Sequence, residues 1–373
     1  MKKLFLFVAA VCFCFSASAQ EALGSRAQVV SPQINENNSV TLRLAAPEAK
    51  KVTVAGNFLT PDGTPVENTE MVRNADGVWE YTSPVLRSEL YNYNFIVDGV
   101  RICDPSNVFI CRDVASSFNI FIIGGDRGDI YSVNDVPHGS VTKTWYDSPT
   151  LQTKRRITVY TPAGYEKSSQ EYPVLYLLHG AGGDEEAWMT LGRTSQILDN
   201  LIAQGKAVPM IVVMPYGNVF GSTPSPTTLA AAKMYQKFEE ELTECVMPFV
   251  EKNFRTKNTR ENRAIGGFSR GGGQSLFTVY SNFDKFSWLA SYSAYLTPEV
   301  MDIYFPDLQN DIKSLDLMWF GVGTSDFLYQ NVLDHQNYFD QKGISYEKMF
   351  TDGGHTWMNA RTYLAETLQK FFK

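Results

Sequence analysis

The sequence predicts two domains, a small all-β sandwich followed by an α/β domain with a mostly parallel sheet and helices on both faces. Three observations carry that prediction. The hydrophobic period is two from about residue 28 to 123, then changes to near-continuous apolar runs separated by helical patterns. At 373 residues the chain accommodates two domains of about 100–200 residues each. The pentapeptide Gly267-Phe-Ser-Arg-Gly271 stands in the second part, between a short strand pattern and a helical one.

The first segment, residues 1–19, reads as a secretory signal peptide. Lys2 and Lys3 open it, an apolar run follows from Leu4 to Phe15, and Ala17-Ser18-Ala19 supplies small residues for cleavage. The run is too short to span a bilayer as a stable helix. Val11 and Phe13 stand before Cys12 and Cys14, where a lipidated cysteine needs a small neighbour. The expectation is an exported protein, periplasmic or extracellular, with no membrane insertion. Loss of Lys2 and Lys3 takes the formal net charge from -7 to -9, which disfavours nucleic acid and anionic membranes as partners.

Residues 20–125 form the expected sandwich. Val40–Leu44, Lys51–Ala55 and Trp79–Tyr81 alternate, which places Trp79 in the core. Tyr91–Val97 alternates and runs into Asp98-Gly99, a hairpin signal. Short strands separated by Gly, Asn, Asp and Pro suggest an immunoglobulin-like arrangement. Residues 124–140, with Gly124-Gly125-Asp126, Gly128 and Pro137-His138-Gly139, are turn-rich and carry the linker.

The second domain is expected over residues 126–373. Val174–Leu178, Ile211–Met214 and Leu317–Val322 are apolar throughout, as strands buried on both faces need to be. Helical patterns at Thr194–Gln204 and Ala232–Phe254 lie between them, which argues for parallel strands. Three cysteines remain after the signal. Cys103 and Cys111 either pair or stay as two free thiols, and Cys245 falls on an apolar helix stripe with Phe238, Leu242, Phe249 and Val250.

The pentapeptide matches G-x-S-x-G, with a strand at Arg263–Ile265 before it and a helix at Gln274–Tyr280 after it. A tight strand-to-helix turn lifts the Ser269 hydroxyl above the sheet, and a serine hydroxyl needs a base to become a nucleophile. Of four histidines, His138 lies in the linker, His179 ends a strand, and His335 falls in a polar helical stretch expected to be solvated. His355, in Gly353-Gly-His-Thr-Trp357 after the strand Tyr346–Phe350, is the candidate base. Asp326, after the strand ending at Val322, is the candidate acid that orients it. Asp352 is too near His355 to arrive from a separate strand end, and Asp316 precedes its strand. The backbone N–H groups of Arg270 and Ala181 are the expected oxyanion donors, the second from the loop His179-Gly-Ala-Gly-Gly183. There is no His-x-x-x-His or Cys-x-x-Cys pair and no G-x-G-x-x-G after a strand, so neither metal nor cofactor is expected.

Tyr172–Gly180, Val212–Pro215, Gly266–Gly272 and Gly353–Trp357 together resemble carbohydrate esterase family one, which holds feruloyl and acetyl xylan esterases on the α/β-hydrolase fold. The N-terminal motifs Val54–Phe58 and Tyr93–Gly99 resemble a carbohydrate-binding module of family forty-eight. The pairing resembles the xylan-debranching esterases of gut Bacteroidetes. The resemblance implies a serine ester hydrolase that releases ferulate from arabinoxylan, with acetyl xylan esterase as the alternative acyl assignment. Feruloylated or acetylated xylan and xylo-oligosaccharides are then the partners. Gly182, Trp188, Tyr216, Phe220 and Trp357 are the expected substrate-binding residues. A non-catalytic polysaccharide-binding protein on the same scaffold is the reading from another class, and a peptidase or lipase is a third. Two positions depart from the family: Arg270 replaces the usual Met after the nucleophile, and Asn57-Phe58-Leu59 stands where glucan-binding modules carry Trp. The second departure points to a docking or shaping role for the N-terminal domain.

Overall fold

A computed structural model describes residues 29–219 and 228–373. The expected signal peptide and Phe220 lie outside the described residues.

The small domain holds two antiparallel sheets. One orders its strands as Gln33–Ile34, Val40–Ala45, Val78–Thr82, Val72–Arg73. The other runs Val66–Glu70, Val52–Gly56, Glu89–Val97, Ser116–Ile123, Ile110–Asp113, with Val100–Ile102 paired to Glu89–Val97. Val40, Leu42, Leu44, Val54, Phe58, Trp79, Phe95 and Phe121 fill the core between them. Trp79 is buried as its alternation predicts, and its indole N–H donates to Ala46 O at 3.0 Å. Asp98 and Gly99 both take positive φ (48° and 88°) in a two-residue turn that pairs Val97 with Val100, as an Asp-Gly hairpin should.

In the large domain eight strands form one sheet in the order 140–148, 153–161, 211–215, 174–178, 263–268, 288–292, 317–323, 347–351. The pairings of Thr153–Thr161 are antiparallel, and the others are parallel. The strands Val174–Leu178, Ile211–Pro215, Trp288–Tyr292 and Leu317–Gly323 are buried at every position, because helices cover both faces. This is the α/β-hydrolase architecture that the apolar runs predict. The helical pattern at Ala232–Phe254 is realised as Thr228–Glu241, a π-helical turn Leu242–Val246 and Met247–Asn253, with Cys245 buried.

Three expectations need correcting or settling. The segment read as a linker contains a helix, Asp126–Tyr131, with Tyr131 buried. Asn200 Nδ2 donates to the carbonyls of Asp129, Ile130 and Ser132, so this connection is packed rather than free. His335 is fully buried rather than solvated. On the helix Tyr329–Lys342 it shares a stripe with Val332, Gln336 and Phe339, and its Nδ1 accepts from Leu296 N at 2.9 Å. Burial pushes its pKa down to about 3. Cys103, Cys111 and Cys245 are all free thiols.

A buried charge cluster joins the domains. Glu89 of the small domain is wholly enclosed and pairs with Arg361 of the C-terminal helix Trp357–Leu368 at 3.2 Å. Arg361 also donates to Leu191 O (3.0 Å) and Leu90 O (2.9 Å).

Candidate active site

The strand Arg263–Phe268 ends at Ser269, and the helix Arg270–Ser281 begins at the next residue. Ser269 has φ 58° and ψ -121°, a conformation that costs a non-glycine residue of order 1–3 kcal/mol. The surroundings hold it there. Ser269 N donates to Tyr292 O at 2.8 Å, and its carbonyl accepts from Gly273 N at 3.1 Å. The flanking glycines are steric necessities. A Cβ on Gly267 would stand 2.5 Å from the Gly271 carbonyl, and one on Gly271 would stand 2.3 Å from Leu178 O. The motif therefore marks a turn in which two strand ends and a helix start meet without room for side chains.

His355 Nδ1 lies 2.9 Å from Asp326 Oδ2 and 3.1 Å from Oδ1. The Asp326 carboxylate has no solvent exposure, and the imidazole keeps 17% of its own. Asp326 Oδ1 also accepts from Leu328 N at 2.8 Å, which fixes the carboxylate. The two loops are laced together: Thr324 N donates to Thr351 O (2.8 Å) and Ser325 N to Gly353 O (3.0 Å). The imidazole contacts two rings, Phe268 stacked at 4.6 Å and Phe327 tilted at 4.6 Å. Phe268 immediately precedes Ser269, so the nucleophile turn and the histidine loop are in contact. Asp352, the competing acid, instead makes an exposed pair with Arg87 at 3.4 Å. Asp316 accepts from Ser287 Oγ at 2.6 Å where its strand begins.

The loop after Leu178 is anchored by His179. Its Nδ1 lies 2.8 Å from Gly180 O, and its Nε2 accepts from Gly217 N at 2.8 Å, so Nδ1 carries the proton. Burial pushes the His179 pKa down to about 4, and the ring stays neutral. Gln274 Nε2 donates to Gly217 O at 2.8 Å, which ties this anchor to the helix behind Ser269. His179 thus braces the loop that carries Ala181. Its position at a strand end was visible in the sequence, but the bracing role was not.

Ala181, Ser269 and Arg270 share a cleft of about 910 Å³, part of it open to solvent. Ala231, Met234 and Tyr235 line it from the helix Thr228–Glu241, and Leu296, Val300 and Phe327 add to its apolar lining. None of these six was singled out from the sequence. Phe327 carried a signal, since it follows Asp326 directly. The Ala231–Tyr235 face did not, because its place depends on how the helix docks. Arg270 lines the same cleft, and burial lowers its pKa.

The expected substrate-binding residues fall into different places. Trp188 is fully buried, donates to Leu178 O at 2.8 Å and meets Trp357 edge-on at 5.1 Å, so it is core and not a substrate contact. Tyr216 stacks on His179 at 5.8 Å and backs the loop. Gly182 belongs to that loop, with φ 73°. Trp357 and His355 line a second cavity, of about 670 Å³ and partly open to solvent, with Asp113, Asn92 and Phe118 of the small domain. Among the described residues no group of three or more His, Cys, Asp or Glu is placed to hold a metal, and no helix is long and apolar enough to cross a membrane.

Comparison with known proteins follows this division. The esterase family model matches residues 148–371, and the model for carbohydrate-binding module 48 (isoamylase N-terminal domain) matches residues 26–109. The chain is 28% identical over 353 residues to an endo-1,4-beta-xylanase/feruloyl esterase of Xylanibacter ruminicola. That match covers 92% of this chain and 46% of the relative, so the chain spans about half the relative's length. A solved ferulic acid esterase is 25% identical with a TM-score of 0.57, over 63% of this chain and 98% of that one. The enterobactin esterase of Shigella flexneri, 17% identical with a TM-score of 0.62, shares the fold over 90% of this chain and 93% of its own.

Proposed function

This chain belongs to the esterase family, with a carbohydrate esterase family one domain and an N-terminal domain like carbohydrate-binding module 48, and from that premise we propose that it is a serine hydrolase releasing hydroxycinnamate, ferulate first, from arabinoxylan. Ser269 attacks the ester carbonyl while His355 takes its proton, and His355 then returns the proton to the departing sugar hydroxyl. Asp326, 2.9 Å from Nδ1, holds the imidazole in the tautomer that leaves Nε2 as the proton acceptor, and stabilises the cation as it forms. The amides of Arg270 and Ala181 receive the charge that develops on the carbonyl oxygen. Water repeats the sequence on the acyl-enzyme.

One observation carries the acyl assignment: the cleft beside Ser269 is walled mostly by apolar side chains. An acetyl group would fill little of the space between Met234, Tyr235, Leu296 and Val300, whereas a phenylpropenoyl group packs against them. The name of the Xylanibacter ruminicola relative supports the same substrate class. Feruloylated xylan and its oligosaccharides are the partners in this reading, with the sugar on the His355–Trp357 side. Export through residues 1–19 to the periplasm or beyond belongs to it too, since polymeric xylan is met outside the cytoplasm.

Hydrolysis of methyl ferulate, feruloylated arabino-oligosaccharides and acetylated xylan by wild type and Ser269→Ala tests the reading. Wild type should release ferulate, and Ser269→Ala should lose at least ~10³-fold in kcat. Retained turnover in the variant refutes the mechanism, and release of acetate without ferulate refutes the acyl assignment.

A further inference from the structure

The small domain reaches the loop that carries Ala181 through the tip of one hairpin. Between Ile110–Asp113 and Ser116–Ile123 the chain turns at Val114, with φ 51°. A β-branched residue is a poor occupant of that region, where glycine or asparagine is relaxed. Val114 is also 52% exposed, so burial of its side chain returns little. What its methyls meet is Gly182. A Cβ built on Gly182 would stand 2.8 Å from Val114 Cγ1 and 3.1 Å from Cγ2.

Arg112 fastens the same tip. Its Nη1 donates to Val114 O at 2.7 Å, and its Nη2 pairs with the Asp184 carboxylate just beyond the loop. Asp184 Oδ1 in turn accepts from Glu186 N at 3.0 Å, ahead of the helix Ala187–Thr190. The loop from His179 to Asp184 is therefore held on two sides: by the His179–Gly217–Gln274 bonds within the large domain, and by Val114 and Arg112 from the small one.

We propose that Val114 and Arg112 are positioning residues for ester hydrolysis. They hold the loop in the register at which the Ala181 amide meets the oxyanion, so the small domain sets turnover even on esters too small to touch a polysaccharide site. This rests on the esterase reading above. An oxyanion donor works over a narrow range of distance, and a displacement of about 1 Å costs up to ~10²-fold in rate.

Val114→Gly separates positioning from architecture, because glycine is at ease at this φ while the methyls are lost. The measurements are steady-state hydrolysis of methyl ferulate, thermal melting, and the rate at which a fluorophosphonate labels Ser269. The expected result is a melting temperature at or above wild type, kcat lower by roughly 5- to 50-fold, KM nearly unchanged, and labelling slowed in step. Arg112→Gln, which leaves Val114 in place, is read in the same way should the glycine variant melt early. A kcat within about two-fold of wild type overturns the proposal, as does a raised KM at constant kcat, which would assign the tip to substrate binding. A wild-type chain whose Ser269 does not react with the fluorophosphonate overturns the esterase reading beneath it, and this inference falls with it.

Discussion

The turns at Ser269 and at Val114 both hold a non-glycine residue at positive φ, at 58° and 51°, yet they are written in the sequence very differently. At Ser269 the crowding stays within the large domain: Gly267 faces the Gly271 carbonyl, Gly271 faces Leu178 O and Gly272 faces Ala294 Cβ, contacts that forbid a side chain. At Val114 the neighbour that matters is Gly182, sixty-eight positions away in the other domain, and the flanking Asp113 and Ala115 record nothing. At Ser269 the glycines flank the turn they serve; at Val114 the glycine stands on the facing loop, in the other domain, where nothing near Val114 points to it.

The sharpest way to probe the local side is Asp326→Asn. Both partners of the His355–Asp326 pair lie in the large domain, and the substitution should lower kcat by about 10³- to 10⁴-fold with little change in melting temperature. A loss below about ten-fold would mean that another group orients the imidazole. On the cross-domain side, Arg361→Met leaves Glu89 enclosed with Arg127 as its remaining cation, 3.7 Å away. Denaturant melts should show a loss of about 3–5 kcal/mol.

A smaller effect concerns the two buried histidines. Both are held neutral in the fold, His179 at about 4 and His335 at about 3, against an ordinary 6.5. Above pH 6.5 neither state takes up a proton, and their contribution is fully present. Below 6.5 the unfolded chain protonates while the fold does not, so stability falls with pH until the folded values are reached. The slope approaches about 1.4 kcal/mol per pH unit for each ring, and His335→Gln should remove its share in melts at pH 7, 6 and 5. The smallest effect belongs to Arg87→Ala. Its pair with Asp352 crosses the domain boundary in solvent, and its removal should change stability by no more than ~0.5 kcal/mol.

Period and punctuation made the architecture legible. The apolar runs at Val174, Ile211 and Leu317 became strands covered on both faces, and Asp98-Gly99 became its hairpin. The pair of His355 with Asp326 was legible for the same reason, since each follows a strand whose end is readable. Proximity to a motif was a poorer guide. Trp188 is near the glycine loop in sequence but turns inward, and only packing decides which way a helix face looks. His335 was misread because the polar residues around it hid a stripe, Val332, His335, Gln336 and Phe339, that points into the core. The cleft wall at Ala231–Tyr235 left no signal at all, because its place depends on how a whole helix docks.

The thiols have a consequence for how this protein comes to be made. Cys111, on the small-domain strand Ile110–Asp113, has its Sγ 3.6 Å from Thr190 O, Cys245 lies inside a helix, and Cys103 is free as well, so no disulfide joins the described residues. Folding of the described residues then waits on no disulfide. The same native state is open to the chain in a reducing cytosol as in an oxidising envelope, and production for study needs no special redox host.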